Sequence, residues 1–176
     1  GRMKIEILDA QGNVVDEVPA SKRRGLNRVS WSMRTKAPVV PPAASLAGAS
    51  AVGERFLPGN YTVRLTKAGE VTTEPLTVTL DRRATFTVAD RQAQFAASER
   101  VKEMFARMSK LVGQINSVRE QAGEIAGRTA VPADLKTAAT QLSDKADALR
   151  KAIVATKEGG AITGEERLRE HVDDIF

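Results

Sequence analysis

The sequence predicts an α+β chain of two domains, a small β-sandwich over residues 1–90 followed by an α-helical hairpin with a truncated third helix over residues 91–176. Two observations carry this. Apolar residues alternate with polar ones in short runs through the first half, the period of half-buried strands. After Asp90 the spacing changes to three- and four-residue steps, the period of a helix with one apolar face. Length agrees, since 176 residues suit one large domain or two small ones.

In the first run, "RMKIEILD", Met3, Ile5 and Ile7 share one face and Lys4 and Glu6 the other. "DAQGN" supplies turn chemistry, with Gly12 and Asn13 suited to positive φ. Val14, Val15 and Val18 continue a second strand that stops at Pro19. In "GLNRVSWSMR", Val29, Trp31 and Met33 alternate with Arg28, Ser30, Ser32 and Arg34. Tyr61, Val63 and Leu65 repeat the pattern, as do Leu76, Val78 and Leu80 after a "KAG" turn, and then Ala84, Phe86 and Val88. Short strands at this spacing predict a sandwich. Its expected core is Ile5, Ile7, Val29, Trp31, Val63, Leu65, Val78 and Phe86. Between Trp31 and Tyr61 the proline-, glycine- and alanine-rich stretch containing "PVVPP" has no period, and an extended surface loop is expected there.

The first helix is expected over about 91–127, with Asp90 as N-cap. Its helical seam runs through Met104, Phe105, Met108, Leu111, Ile115 and Val118, on a stripe that also takes in Val101, Val112, Ala122 and Ile125. Pro132 suits the first turn of a second helix, whose seam includes Leu142 and Leu149 on a stripe with Leu135, Ala138, Ala146 and Ile153, and which should end near Gly159. Thr163-Gly164-Glu165-Glu166 has the form of a capping box opening a third helix. A helix pair buries one seam between its members, so an incomplete third helix leaves apolar surface for a partner.

Composition narrows function mainly by exclusion. The chain has no cysteine, which removes disulfides, thiolate nucleophiles and cysteine metal sites. The net charge of +5 is spread thinly, with 13 Lys and Arg against 9 Asp and Glu in residues 1–90, and 14 against 13 thereafter. That is no clustered basic face, so nucleic acid is not an expected partner. Lys22-Arg23-Arg24 is expected to be solvated. No apolar run approaches the length that crosses a bilayer, so no membrane insertion is expected. His171, the only histidine, shares a helix face with Asp174, but two ligands do not make a metal site. No nucleophile elbow, P-loop or dinucleotide fingerprint occurs. Neither catalysis nor a cofactor is expected. Asn60-Tyr61-Thr62 matches a glycosylation sequon but reads more simply as a turn entering a strand. A rival to the core role of the rings is a carbohydrate-binding surface with Trp31 or Tyr61 as a stacking platform.

Taken in order, "IEILDAQGNVV", "GLNRVSWSMR", "LPGNYTVRLTKAGEVTTEPLTV" and "LDRRATFTVADRQAQFAASERVKEMFARMSKLVGQINSVRE" cover most of the chain. Together they resemble the C-terminal region of bacterial exported proteins built on sortilin-like β-propellers with BNR repeats, often labelled glycosyl hydrolases. The best markers are Gly25-Leu26-Asn27 with Trp31, and Pro58-Gly59-Asn60-Tyr61-Thr62. Ser32 stands where relatives usually carry an acid, and Asp81-Arg82-Arg83 where Asp-Pro-Arg is common. The resemblance implies an Ig-like (fibronectin III-like) sandwich, an exported location and an upstream propeller as partner. Any glycosidase activity belongs to that propeller, and these residues contain none of its repeats. With a leading Gly1 and an apolar stop at Ile175-Phe176, the chain is expected to be a piece of a longer protein whose role is non-catalytic docking or assembly. Its partners are then the propeller or a second copy of the chain.

Overall fold

A computed structural model of the chain describes residues 3–21, 23–44, 48–157 and 164–176. They form an α+β structure in two compact units, residues 1–36 with 53–97 and residues 37–52 with 98–176.

The first unit holds a four-stranded antiparallel sheet. Strands β1 (Met3–Leu8) and β2 (Val14–Val18) form a hairpin, as do β3 (Gly59–Lys67) and β4 (Glu70–Val78), and the order is β2-β1-β3-β4. The first turn is locked by Asp9, whose Oδ1 accepts the amides of Gln11 at 2.9 Å and Asn13 at 2.8 Å. The second turn places Ala68 and Gly69 both at positive φ, 53° and 93°, which matches the twist of a two-residue hairpin.

Register sorts the two faces. Ile5 lies opposite Val18 and Leu65, and Ile7 opposite Val63, which gathers one apolar face. Glu6 lies opposite Glu17 and Arg64 on the other. That second face is not simply solvated. Glu6 is only 5% exposed and accepts Lys4 Nζ at 2.6 Å and Arg64 Nε at 2.8 Å, which offset the like charge of Glu17 across the strand.

Two expected strands are absent. Residues 27–33 are irregular, because Met33 takes φ 55° and breaks the alternation. Pairing there shrinks to a single bridge, Arg34 to Arg55, flanked by Thr35 N to Glu54 O at 2.8 Å and Phe56 N to Met33 O at 2.8 Å. Gly53 is needed beside it, since a Cβ there would stand 2.1 Å from the Thr35 carbonyl oxygen. Residues 84–87 are irregular with a bend at Phe86, and Val88 already belongs to a helix. The expected core changes accordingly. Ile7 is buried and Ile5, Trp31, Val63, Leu65 and Val78 are half-buried, while Val29 (41%) and Phe86 (47%) are exposed. Those two depended on strands that do not form. Leu8 and Val18 are buried beside Ile7.

Helix α1 (Val88–Gly127) is 40 residues long, about 60 Å at 1.5 Å per residue. Asp90 is not its N-cap. Asp90 sits three residues after Thr87 and pairs with it reciprocally: Thr87 N donates to Asp90 Oδ2 at 2.8 Å, and Asp90 N donates to Thr87 Oγ1 at 3.2 Å. This is a capping box with Thr87 at the cap. The Thr87 amide and then the Thr87 hydroxyl, both donating to Asp90 Oδ2, hold the Asp90 carboxyl below its ordinary pKa.

In the second unit α2 (Ala133–Ile153) follows Pro132 and ends where Val154 turns extended. This is earlier than expected, because Val154 and Ala155 are drawn into the core; Gly159 lies outside the described residues. The short α3 (Leu168–Asp173) opens at Arg167, whose amide donates to Glu170 Oε2 at 3.2 Å, and not at 163–166. Thr163 lies outside the described residues, and Glu165 instead accepts the amides of Thr156 at 2.7 Å and Lys157 at 2.9 Å. Phe105, Met108, Val112, Val154 and Val172 form the core, with Phe176 edge-on to Phe105 at a centroid distance of 6.3 Å.

The proline-rich stretch corrects a further expectation. It is a strap across this core, with Pro38 and Pro41 buried and Val40 and Ala43 packed against the cluster. Polar bonds fasten it: Ser109 Oγ donates to Val39 O at 2.7 Å, and Ala44 N to Ala155 O at 2.9 Å. Asp173 closes the far end, accepting Gly48 N at 2.7 Å, Ser50 N at 3.0 Å and the Ser50 hydroxyl. Without a period to reveal a buried face, the strap was not readable as core.

Candidate functional site

Trp31 and Tyr61 do meet in the sheet unit, but with a third ring, Phe56, that sequence reasoning missed. Trp31 lies 5.3 Å from Phe56 and 5.6 Å from Tyr61, centroid to centroid, and Phe56 lies 6.0 Å from Tyr61. Such tilted and edge-on spacings are those of mutually packed rings. The polar handles are engaged as well. Trp31 Nε1 donates to Asp16 Oδ2 at 2.7 Å, and the Tyr61 hydroxyl donates to Leu57 O at 2.7 Å. Burial, with the Asp9 charge adding to it, pushes the Tyr61 phenol above its ordinary pKa. The three rings are half-buried, and the donor groups of Trp31 and Tyr61 are both used inside the protein.

Arg23 and Arg24 line an open hollow with Lys67, Met3 and Asn27, and make no ion pair among the described residues. Lys22 lies outside the described residues. His171 is exposed on α3, and no group of three His, Asp or Glu side chains among the described residues is placed to hold a metal. No helix among the described residues is long and apolar enough to cross a membrane.

The helical seam divides in a way its spacing concealed. Phe105 and Met108 are buried and Ile115 is half-buried, but Met104, Leu111, Val118, Leu142 and Leu149 are exposed. Also buried are Val112, Ala122 and Ala146, which lie on the expected stripes, and Ala139, which does not. Polar contacts fix the pairing of α1 and α2. Arg119 reaches Asp147 at 3.5 Å, Ser143 Oγ donates to Arg119 O at 3.2 Å, and Gly123 faces Ser143. Partner numbers fall on one helix as they rise on the other, so the hairpin is antiparallel. Asp147 is held by Lys151 at 2.7 Å and Arg150 at 2.8 Å, which bring its carboxyl from 3.8 down to about 2.

The exposed apolar residues are ordered. On α1 they are Met104, Leu111, Val118 and Ile125, and on α2 Leu135, Leu142 and Leu149, every one seven residues from the next and each 39–60% exposed. Near one end, Met104 and Leu111 border an apolar hollow of about 340 Å³ with Ile153, Leu168 and Val172. Comparison with known proteins adds no relative: no family matches the chain, and neither does any curated protein or solved structure.

Proposed function

We propose that the chain is a non-catalytic interaction region, which docks or assembles through the outer face of its helical hairpin. The observation that supports this is the pair of apolar ridges at seven-residue spacing, since ordered exposed apolar surface of this extent is what binding faces use. The sequence resemblance supplies the setting: an accessory segment of an exported β-propeller protein, with the sheet unit as an Ig-like module and the propeller as a partner. The carbohydrate-binding alternative is disfavoured by the internal engagement of Trp31 and Tyr61.

The face can be distinguished from core by mutation. Val118→Ser with Leu142→Ser should lower the stability of the dilute chain by less than about 1 kcal/mol, as surface changes do. Phe105→Ala, fully buried, should cost about 3–5 kcal/mol. Urea denaturation of both variants measures the contrast. Equal, large losses would make the ridges part of the fold and sink the interaction reading.

A further inference from the structure

The spacing of the ridges carries more than their exposure. A seven-residue repeat keeps one ridge facing a neighbouring helix along a left-handed supercoil, so a ridge at that period is shaped for another α-helix. Every ridge residue except Ile125 also precedes an inward residue by four: 104 and 108, 111 and 115, 118 and 122 on α1, then 135 and 139, 142 and 146, 149 and 153 on α2. Both ridges are therefore rotated from these inward residues by the same amount in the same sense, about 40° on a helix of 100° per residue. On two antiparallel helices packed face to face, equal offsets of one sense emerge on the same side. Seven large apolar side chains thus form one face with two parallel rows.

We infer that this face takes a second copy of the chain, the two hairpins stacking into a four-helix bundle about a twofold axis. This rests on the interaction reading above and names its partner. The complement of two antiparallel heptad rows is another pair of antiparallel helices with the same repeat, and the hairpin is itself such a pair. The rim fits self-association too. Along the middle of the face, the positions three residues after each ridge residue are Gln114, Gln121, Ala138, Lys145 and Ala152. Two copies would bring together one cation apiece instead of opposed rows of like charge, with Arg107 and Arg128 kept to the ends. A partner selected by charge would call for a charged rim.

Light scattering during size-exclusion chromatography of the full chain, from low micromolar upward, tests this. Twice the chain mass is expected at high concentration, dissociating on dilution. Val118→Glu or Leu142→Glu should raise the dimer dissociation constant at least tenfold. Leu26→Glu, which removes a 98% exposed leucine from the sheet unit, should leave it unchanged. Far-ultraviolet circular dichroism checks that helix content is retained, and Leu142→Gln serves as the milder variant if it is not. A wild type that stays monomeric at every concentration, or a dimer indifferent to both face variants, overturns the second-copy inference. If the serine variants above remain stable in that case, the interaction reading survives with a different partner.

Discussion

Trp31 shows how a single side chain was half-readable from sequence. Its residence among packed rings follows from alternation and from the ordinary burial of tryptophan. Its partners do not, because Phe56 is brought in by the Arg34–Arg55 bridge and not by any strand period. Nor could the sequence show that Asp16, on a neighbouring strand, would accept the indole N–H. Trp31→Phe keeps most of the packing and removes that bond, which is half-buried and made to a carboxylate. The expected cost is about 1–2 kcal/mol in chemical denaturation. Asp16→Asn, which retains an acceptor, should cost less; equal losses from the two would mean the bond is idle.

Among the elements, helices were legible and their inner faces were not. The end of α1 follows from a sustained period that stops in glycine, but its start was placed at Asp90, three residues after the threonine that caps it. Thr87→Ala should lower stability by about 1 kcal/mol, measured by thermal unfolding, whereas Thr87→Ser should be nearly neutral. Hydrophobicity alone ranks Leu111 and Leu142 above Ala122 and Ala139 as seam residues, yet the alanines are buried and the leucines exposed. Ala122 was on the stripe read from the sequence; what spacing does not report is which members of a stripe turn inward. Strands failed differently. Alternation at Val29 and Phe86 was present, but a strand also needs a partner in register, and pairing near Val29 is limited to the Arg34–Arg55 bridge.

Across the whole molecule, acid should act on both units. Glu6 and Asp9 in the sheet, Asp90 at the head of α1, Asp147 on α2, and Glu165 and Asp173 near the end all have carboxyls below their ordinary pKa. For Asp173 burial pushes upward, but the Ser50 and Gly48 bonds outweigh it. A folded value below the unfolded one gives stability that is complete above the unfolded pKa and lost as pH falls through the folded one. Melting temperature should therefore hold down to about pH 5 and fall from there towards pH 2. For Asp147 the loss runs between 3.8 and about 2, and Asp147→Asn should flatten that part of the profile. A melting temperature that rose on acidification would contradict the assignment. The Asp173 clasp has one more consequence, for synthesis. Gly48 must wait for a partner 125 residues further along the chain. At about 5–20 residues per second, ribosomes take roughly 6–25 s to supply it. During that interval the strap from residue 37 onward has left the exit tunnel with no core to lie on, a window in which a chaperone would find it.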